Sequence, residues 1–166
     1  MKKYLLLSGL LALMITGYSQ VDSILAPYQK FPSFPPIKLL LPDSSSFFTK
    51  SDLAKKSPVM LMLFNPQCEH CRHETEQLVK NIDKFKNIQI IMVTSMPFDS
   101  MMTFREKYKL AQYDNIVVAQ DPHFFLIPYF QVNSLPFLAF YNRKKELIDI
   151  FEGSLPMEKV LKKFDK

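Results

Sequence analysis

Cys68 and Cys71 are the only cysteines in the 166-residue chain, and Glu69 and His70 stand between them. A thiol pair at this spacing can make and break a disulfide when the second sulfur lies one helical turn beyond the first. The pair falls between an unbroken apolar run and a helical pattern. A cysteine at a helix N-terminus faces the positive end of the helix dipole and unpaired N–H groups, and both favour a thiolate. A protonated His70 would favour the Cys68 thiolate further, and Glu69 would oppose it. A purely structural disulfide closing so short a loop would constrain little of the unfolded chain. Zinc is the other chemistry these residue types suggest, with His70 and His73 nearby. Cys68, His70, Cys71 and His73 occupy barely one turn, however, and cannot all converge on one tetrahedral ion. His123 is the only histidine left as a distant ligand. No metal site and no cofactor are expected.

The elements that must position the pair are legible in the apolar pattern. Residues 58–64 read PVMLMLF, which suits a central strand buried on both faces. The helix that follows places Cys71, Thr75, Leu78, Ile82 and Phe85 on one face. Residues 37–41, 88–94 and 116–119 read as further strands, the first closed by Pro42-Asp43-Ser44. Asp99 is expected to cap a helix running through Met101, Phe104 and Tyr108, and Asp121-Pro122 to start another. Residues 136–141 and 147–151 flank Asn142-Arg143-Lys144-Lys145 as a hairpin. Pro156 opens a last helix, with Met157, Val160, Leu161 and Phe164 inward. This order predicts an α/β fold: a central mixed β-sheet flanked by helices on both faces.

Lys2-Lys3, an apolar run over 4–15 and Gly17-Tyr18-Ser19 form the pattern of a secretory signal over residues 1–19, cleaved after Ser19. The apolar run is shorter than the ~20 residues a spanning helix needs. No cysteine lies near the cut, so no lipid anchor is expected there. The mature protein is expected to start at Gln20, without stable membrane insertion, in an extracytoplasmic (periplasmic or secreted) space where disulfides persist. Residues 20–36, rich in Pro and aromatics, read as an extended lead-in to a single domain over 37–166. A content of 48% hydrophobic and 22% charged residues is that of a globular chain. Of three glycines, Gly9 and Gly17 fall in the leader, leaving Gly153. That excludes a glycine-rich phosphate loop or a dinucleotide fingerprint. Lys2 and Lys3 contribute two of the net +5 charges, and the remaining lysines are scattered. With no basic stripe, nucleic acid is excluded as a partner.

The run Phe64-Asn65-Pro66-Gln67-Cys68-Glu69-His70-Cys71-Arg72 after a strand, the long helix, and a later Ser134-Leu135-Pro136-Phe137 together resemble the thioredoxin superfamily. The lead-in around Leu41-Pro42-Asp43 and the helix inserted before Leu135-Pro136 are more similar to its bacterial extracytoplasmic branch. That branch holds the redoxin-type thiol-disulfide oxidoreductases, including the reductases of cytochrome c maturation. The resemblance covers about residues 34–165. It implies a thioredoxin-like fold, with Cys68 as the attacking thiol and Cys71 as the resolving one. It also implies that Pro136 is a cis-proline lining, with Leu135, the substrate groove. Protein thiols or disulfides are the implied substrates, with an upstream electron donor or acceptor.

Two departures bear on mechanism. Thioredoxins carry a buried acid six residues ahead of the first cysteine, where this chain has Met62. The cytochrome-maturation reductases often place a glutamate after the next strand, where it reads Thr94-Ser95-Met96. The proton acceptor for Cys71 is thus missing from both places, leaving Glu69, His70, His73 or water. Peroxiredoxins share the fold, but their motif needs a Thr and a Pro where this chain has Asn65 and Leu61. Met96, Met101 and Met102 follow the strand at 88–94, and soft thioether and thiolate ligands suit Cu(I). A copper-binding or substrate-binding module on a thioredoxin fold is therefore the alternative to an oxidoreductase.

Overall fold

The computed structural model describes residues 25–165. The expected leader and residues 20–24 lie outside them, as does Lys166. Among the described residues seven strands form one sheet: β1 (Lys38–Leu40), β2 (Phe47–Thr49), β3 (Val59–Leu63), β4 (Gln89–Thr94), β5 (Ile116–Gln120), β6 (Phe137–Tyr141) and β7 (Leu147–Glu152). The helices are α1 (Pro27–Lys30), α2 (Glu69–Lys80), α3 (Phe98–Lys107), α4 (Leu126–Phe130) and α5 (Met157–Lys162). The strand order is β2-β1-β5-β4-β3-β6-β7. β3 runs parallel to β4 and antiparallel to β6, so the sheet is mixed, as expected.

Side chains alternate across a strand, and here both faces are covered. On one face Met60, Met62, Ile90, Met92, Leu138 and Phe140 pack against Cys71 and Leu78 of α2, Met101 and Phe104 of α3, and Val160 of α5. On the other, Leu61, Leu63, Ile91, Val93, Phe137 and Tyr141 meet Phe34 and the α4 residues Leu126 and Phe130. All five residues of β3 are buried, which is why that run contains no polar residue.

Four local readings change. Phe47–Thr49 is a strand that the apolar pattern does not announce; it pairs antiparallel with β1 as the sheet's edge. Asp99 lies inside the first turn of α3, and Pro97 occupies the cap position without a side-chain bond. No helix starts at Asp121-Pro122. The Asp121 carboxylate instead accepts the Leu126 amide at 2.9 Å, and Phe124 takes a left-handed φ of 53°, so α4 begins only after it, with Phe125 as the cap and Leu126 as the first residue. The segment before β1 is not wholly extended, since Pro27–Lys30 forms one helical turn. Farther on, Ser33 bridges to Glu146. The Leu147 amide donates to the Pro32 carbonyl at 2.6 Å, and the Phe34 amide to the Lys145 carbonyl at 2.8 Å.

The β6–β7 hairpin turns where its sequence indicates. Asn142 Oδ1 accepts the amides of Lys144 at 2.8 Å and Glu146 at 3.0 Å. Lys145, in a left-handed conformation with φ of 66°, sends Nζ to the carbonyl oxygens of Ala54 and Ser57 at 2.7 and 2.5 Å.

Candidate active site

Sheet register brings the two halves of the site together. Leu63, the last residue of β3, pairs with Phe137, the first of β6. Because these strands are antiparallel, the chain leaving β3 toward Cys68 passes the chain entering β6 through Leu135-Pro136. β4 is parallel to β3, so Ser95 and Met96 leave the sheet at the same edge. The Leu135–Pro136 peptide bond is cis.

Cys68 is the N-cap residue of α2, and its half-exposed sulfur accepts the Cys71 amide at 3.3 Å. That contact occupies one of the N–H groups a helix start leaves without an internal partner. The same sulfur lies 3.8 Å from the Leu135 carbonyl oxygen, to which its S–H donates. The loop ahead of it is held by side chains: Asn65 Oδ1 accepts the Gln67 amide at 2.9 Å, and Arg72 Nη1 donates to the Gln67 carbonyl at 2.7 Å. Both cysteines are free thiols.

Cys71 is fully buried. Burial pushes its thiol up to about 12, helped by the hydrogen bond to Cys68 and by the charges of Cys68 and Glu74; a backbone hydrogen bond from Asn65 acts in the opposite direction. The two sulfurs are therefore unequal: one is reachable from solvent and the other is held as a protonated thiol in the core.

Glu74, one turn beyond Cys71, is a site residue that the sequence reading passed over. Only 3% of it is exposed. Burial pushes its carboxyl up to about 7, against opposing hydrogen bonds from Leu155 and Ser154. Oε2 accepts the Leu155 amide at 3.1 Å, while Oε1 has no hydrogen-bond partner among the described residues. Glu74 lines a cleft of about 500 Å³ together with His73, Ser154 and Glu158. The signal was present in the sequence. Position 74 lies three residues after Cys71 and four before Leu78, on the stripe already identified as buried.

The other singled-out residues disperse. Glu69, His70 and His73 are exposed along the first turns of α2, whereas Met62 is fully buried on the sheet face that Cys71 packs against. His70 contributes a backbone contact, its carbonyl accepting the Ser154 hydroxyl at 3.3 Å. Met101 is fully buried in the core, and Met102 packs partly buried against it. Met96 instead lines an apolar cavity shared with Leu135. Among the described residues no three His, Cys, Asp or Glu side chains gather where they could hold a metal ion. No helix among them is long and apolar enough to cross a membrane.

Known proteins share this architecture. A Mycobacterium tuberculosis dsbF, solved in mixed oxidised and reduced forms, superposes with a TM-score of 0.64 at 18% identity, covering 77% of this chain and 92% of that one. A secreted disulfide oxidoreductase of the same organism, described as homologous to DsbE of E. coli, gives 0.64 at 16% identity, with 77% and 93% covered. The exposed lipoprotein thioredoxin Etrx1 of Streptococcus pneumoniae gives 0.59 at 22% identity, with 77% and 98% covered. These likenesses establish the thioredoxin-like fold. No curated protein matches the chain. The AhpC/TSA family matches residues 31–153, a span that takes in the cysteine pair, Glu74, the cis-proline and both sheet partners of β3, and the chain belongs to that family.

Proposed function

We propose that this protein is a thiol-disulfide oxidoreductase that exchanges disulfides with protein thiols through Cys68 and Cys71. The observation that carries the reading is the inequality of the two sulfurs at the start of α2. Cys68 is half-exposed beside the Leu135 carbonyl, and Cys71 is buried as a thiol one turn away.

In the reductive direction, the Cys68 thiolate attacks one sulfur of a substrate disulfide. A mixed disulfide forms, and the first substrate sulfur leaves as a thiolate that takes a proton from solvent. Cys68 then carries no charge, so one of the influences raising Cys71 is removed. Glu74, ionised above about pH 7, takes the Cys71 proton. The Cys71 thiolate attacks the Cys68 sulfur and expels the second substrate thiolate, which is then protonated. The protein ends with a Cys68–Cys71 disulfide, having given two electrons and two protons to the substrate. Leu135 and Pro136 form the wall against which the substrate backbone lies. The reverse sequence oxidises a dithiol, and an upstream donor or acceptor resets the pair.

Family membership does not make the protein a peroxidase. The position that would hold the peroxidatic Thr is Asn65, whose side chain is engaged with the Gln67 amide. Leu61, at the position of the motif's Pro, is fully buried within β3. Redox titration in graded dithiol buffers, followed by alkylation and mass analysis, tests the proposal. Cys68 and Cys71 are expected to lose their reactivity together, as one two-electron couple. Independent titration, or a pair that never oxidises, would overturn it.

The site of action proposed is extracytoplasmic, after removal of residues 1–19. Intact mass of the protein from its native host is expected to give a chain starting at or near Gln20. A full-length chain recovered with membranes would contradict this.

A further inference from the structure

Leu135 connects the sulfur pair to a second feature. Its carbonyl oxygen lies 3.8 Å from the Cys68 sulfur, and the same residue lines a cavity of about 180 Å³. Leu63 and Val93, both buried at the ends of their strands, lie at its base, and half-buried Met96 and exposed Phe124 stand at its rim. The buried carboxylate of Asp121, also in the lining, is already occupied by the Leu126 amide. Sites for drug-sized ligands run to about 300–1,000 Å³, so this cavity holds one side chain and little more.

The rim residue is unusual in its own right. Phe124 is 60% exposed and has a φ of 53°, a region that bulky side chains rarely enter. Its turn is fixed from Asp121, whose carbonyl accepts the Phe124 amide at 3.4 Å and whose carboxylate holds Leu126. A large aromatic kept in an unfavourable backbone conformation at a surface gains nothing from burial there. It does form part of the wall of the cavity that Leu135 also lines.

We infer that this cavity is a specificity pocket for one apolar side chain of a polypeptide substrate, within two residues of the cysteine that reacts with Cys68. The inference rests on the proposed thiol-disulfide exchange and adds what the substrate must carry. Continuity between cavity and sulfur selects the occupant: a polypeptide whose sulfur reaches Cys68 passes Leu135, and an extended chain advances only about 3.3 Å per residue. A side chain one or two residues from that cysteine is then within reach of the cavity.

The test uses symmetric peptide disulfides in which each of the two residues on either side of Cys is varied through Gly, Leu, Phe, Lys and Asp. Reduced protein is mixed with each peptide, and released peptide thiol is followed by chromatography. At one of these positions Leu or Phe is expected to raise kcat/KM at least tenfold over Gly, with Asp and Lys no better than Gly. Ser95→Phe, which fills the cavity from its lining, should reduce that preference to threefold or less. Phe124→Gly should do likewise, and it suits the left-handed backbone, so it is expected to fold. Both variants should reduce a small non-peptide disulfide at the wild-type rate. Equal rates across the peptide series, or a preference that survives both variants, would overturn the pocket. Failure of wild-type protein on the small disulfide as well would instead overturn the exchange activity on which the pocket depends.

Discussion

Cys71→Ser is expected to hold its partner covalently, and Cys68→Ser to hold nothing. In the first variant the half-exposed Cys68 still attacks, and the mixed disulfide forms. No second thiol is left to attack it, so release awaits an external thiol. Turnover should fall by ~10³-fold or more while a covalent complex accumulates. In the second variant the remaining thiol is still fully buried, and burial, the largest influence raising it, persists, so it is out of reach of a partner and held as a thiol at neutral pH. Non-reducing electrophoresis of extracytoplasmic extract, followed by reduction and mass identification, reads the difference. Equal capture by both variants would mean that the roles of the sulfurs are misassigned.

Glu74→Gln is expected to slow resolution of the mixed disulfide by about 10²-fold, within the range typical for loss of a positioned base. The wild-type rate should climb as pH rises through about 7, where Glu74 loses its proton, and the variant should show no such rise. Stability provides an independent readout of opposite sign. A carboxyl raised by folding from 4.5 to about 7 stabilises the fold fully below pH 4.5, where it is protonated in both states. That stability drains away as pH rises through 7. Glutamine never ionises, so the variant should match wild type near pH 4 and exceed it above pH 8 by on the order of 2–3 kcal/mol. A variant that gains stability at high pH yet resolves at the wild-type rate would leave Glu74 structural and route the proton elsewhere.

The cysteine pair and Glu74 differ in how openly the sequence displayed them. Cys68 and Cys71 were unmistakable because cysteine is rare in the chain and their placement between strand and helix is itself a chemical signal. Glu74 was hidden because a glutamate in a helix is ordinarily solvated, and its burial depends on Ser154 and Leu155, some eighty residues later, closing over it. The same contrast runs through the fold. β3 declared itself by an unbroken apolar run, and β4 by the apolar stretch Ile90–Val93, which suit a doubly covered sheet. β2 did not, since three residues at an edge carry too little pattern to separate them from a loop. The turn at Asp121 misled for a related reason: Asp followed by Pro does favour a helix start, but Phe124 takes a left-handed φ that delays the helix. No local preference of phenylalanine announces that.

The stretch joined to β7 has a further effect, on how the molecule behaves among its own copies. An uncovered outer strand offers a row of free N–H and C=O groups to any other chain, and so invites filament growth. Here Pro32–Phe34 pairs with the start of that strand and the turn before it, at Leu147, Glu146 and Lys145. The cover is itself a poor template, because Pro32, Pro35 and Pro36 have no N–H to give a newcomer. The proline rings of the extended lead-in thus act as a local stop at the start of β7, where an added strand would otherwise begin its pairing.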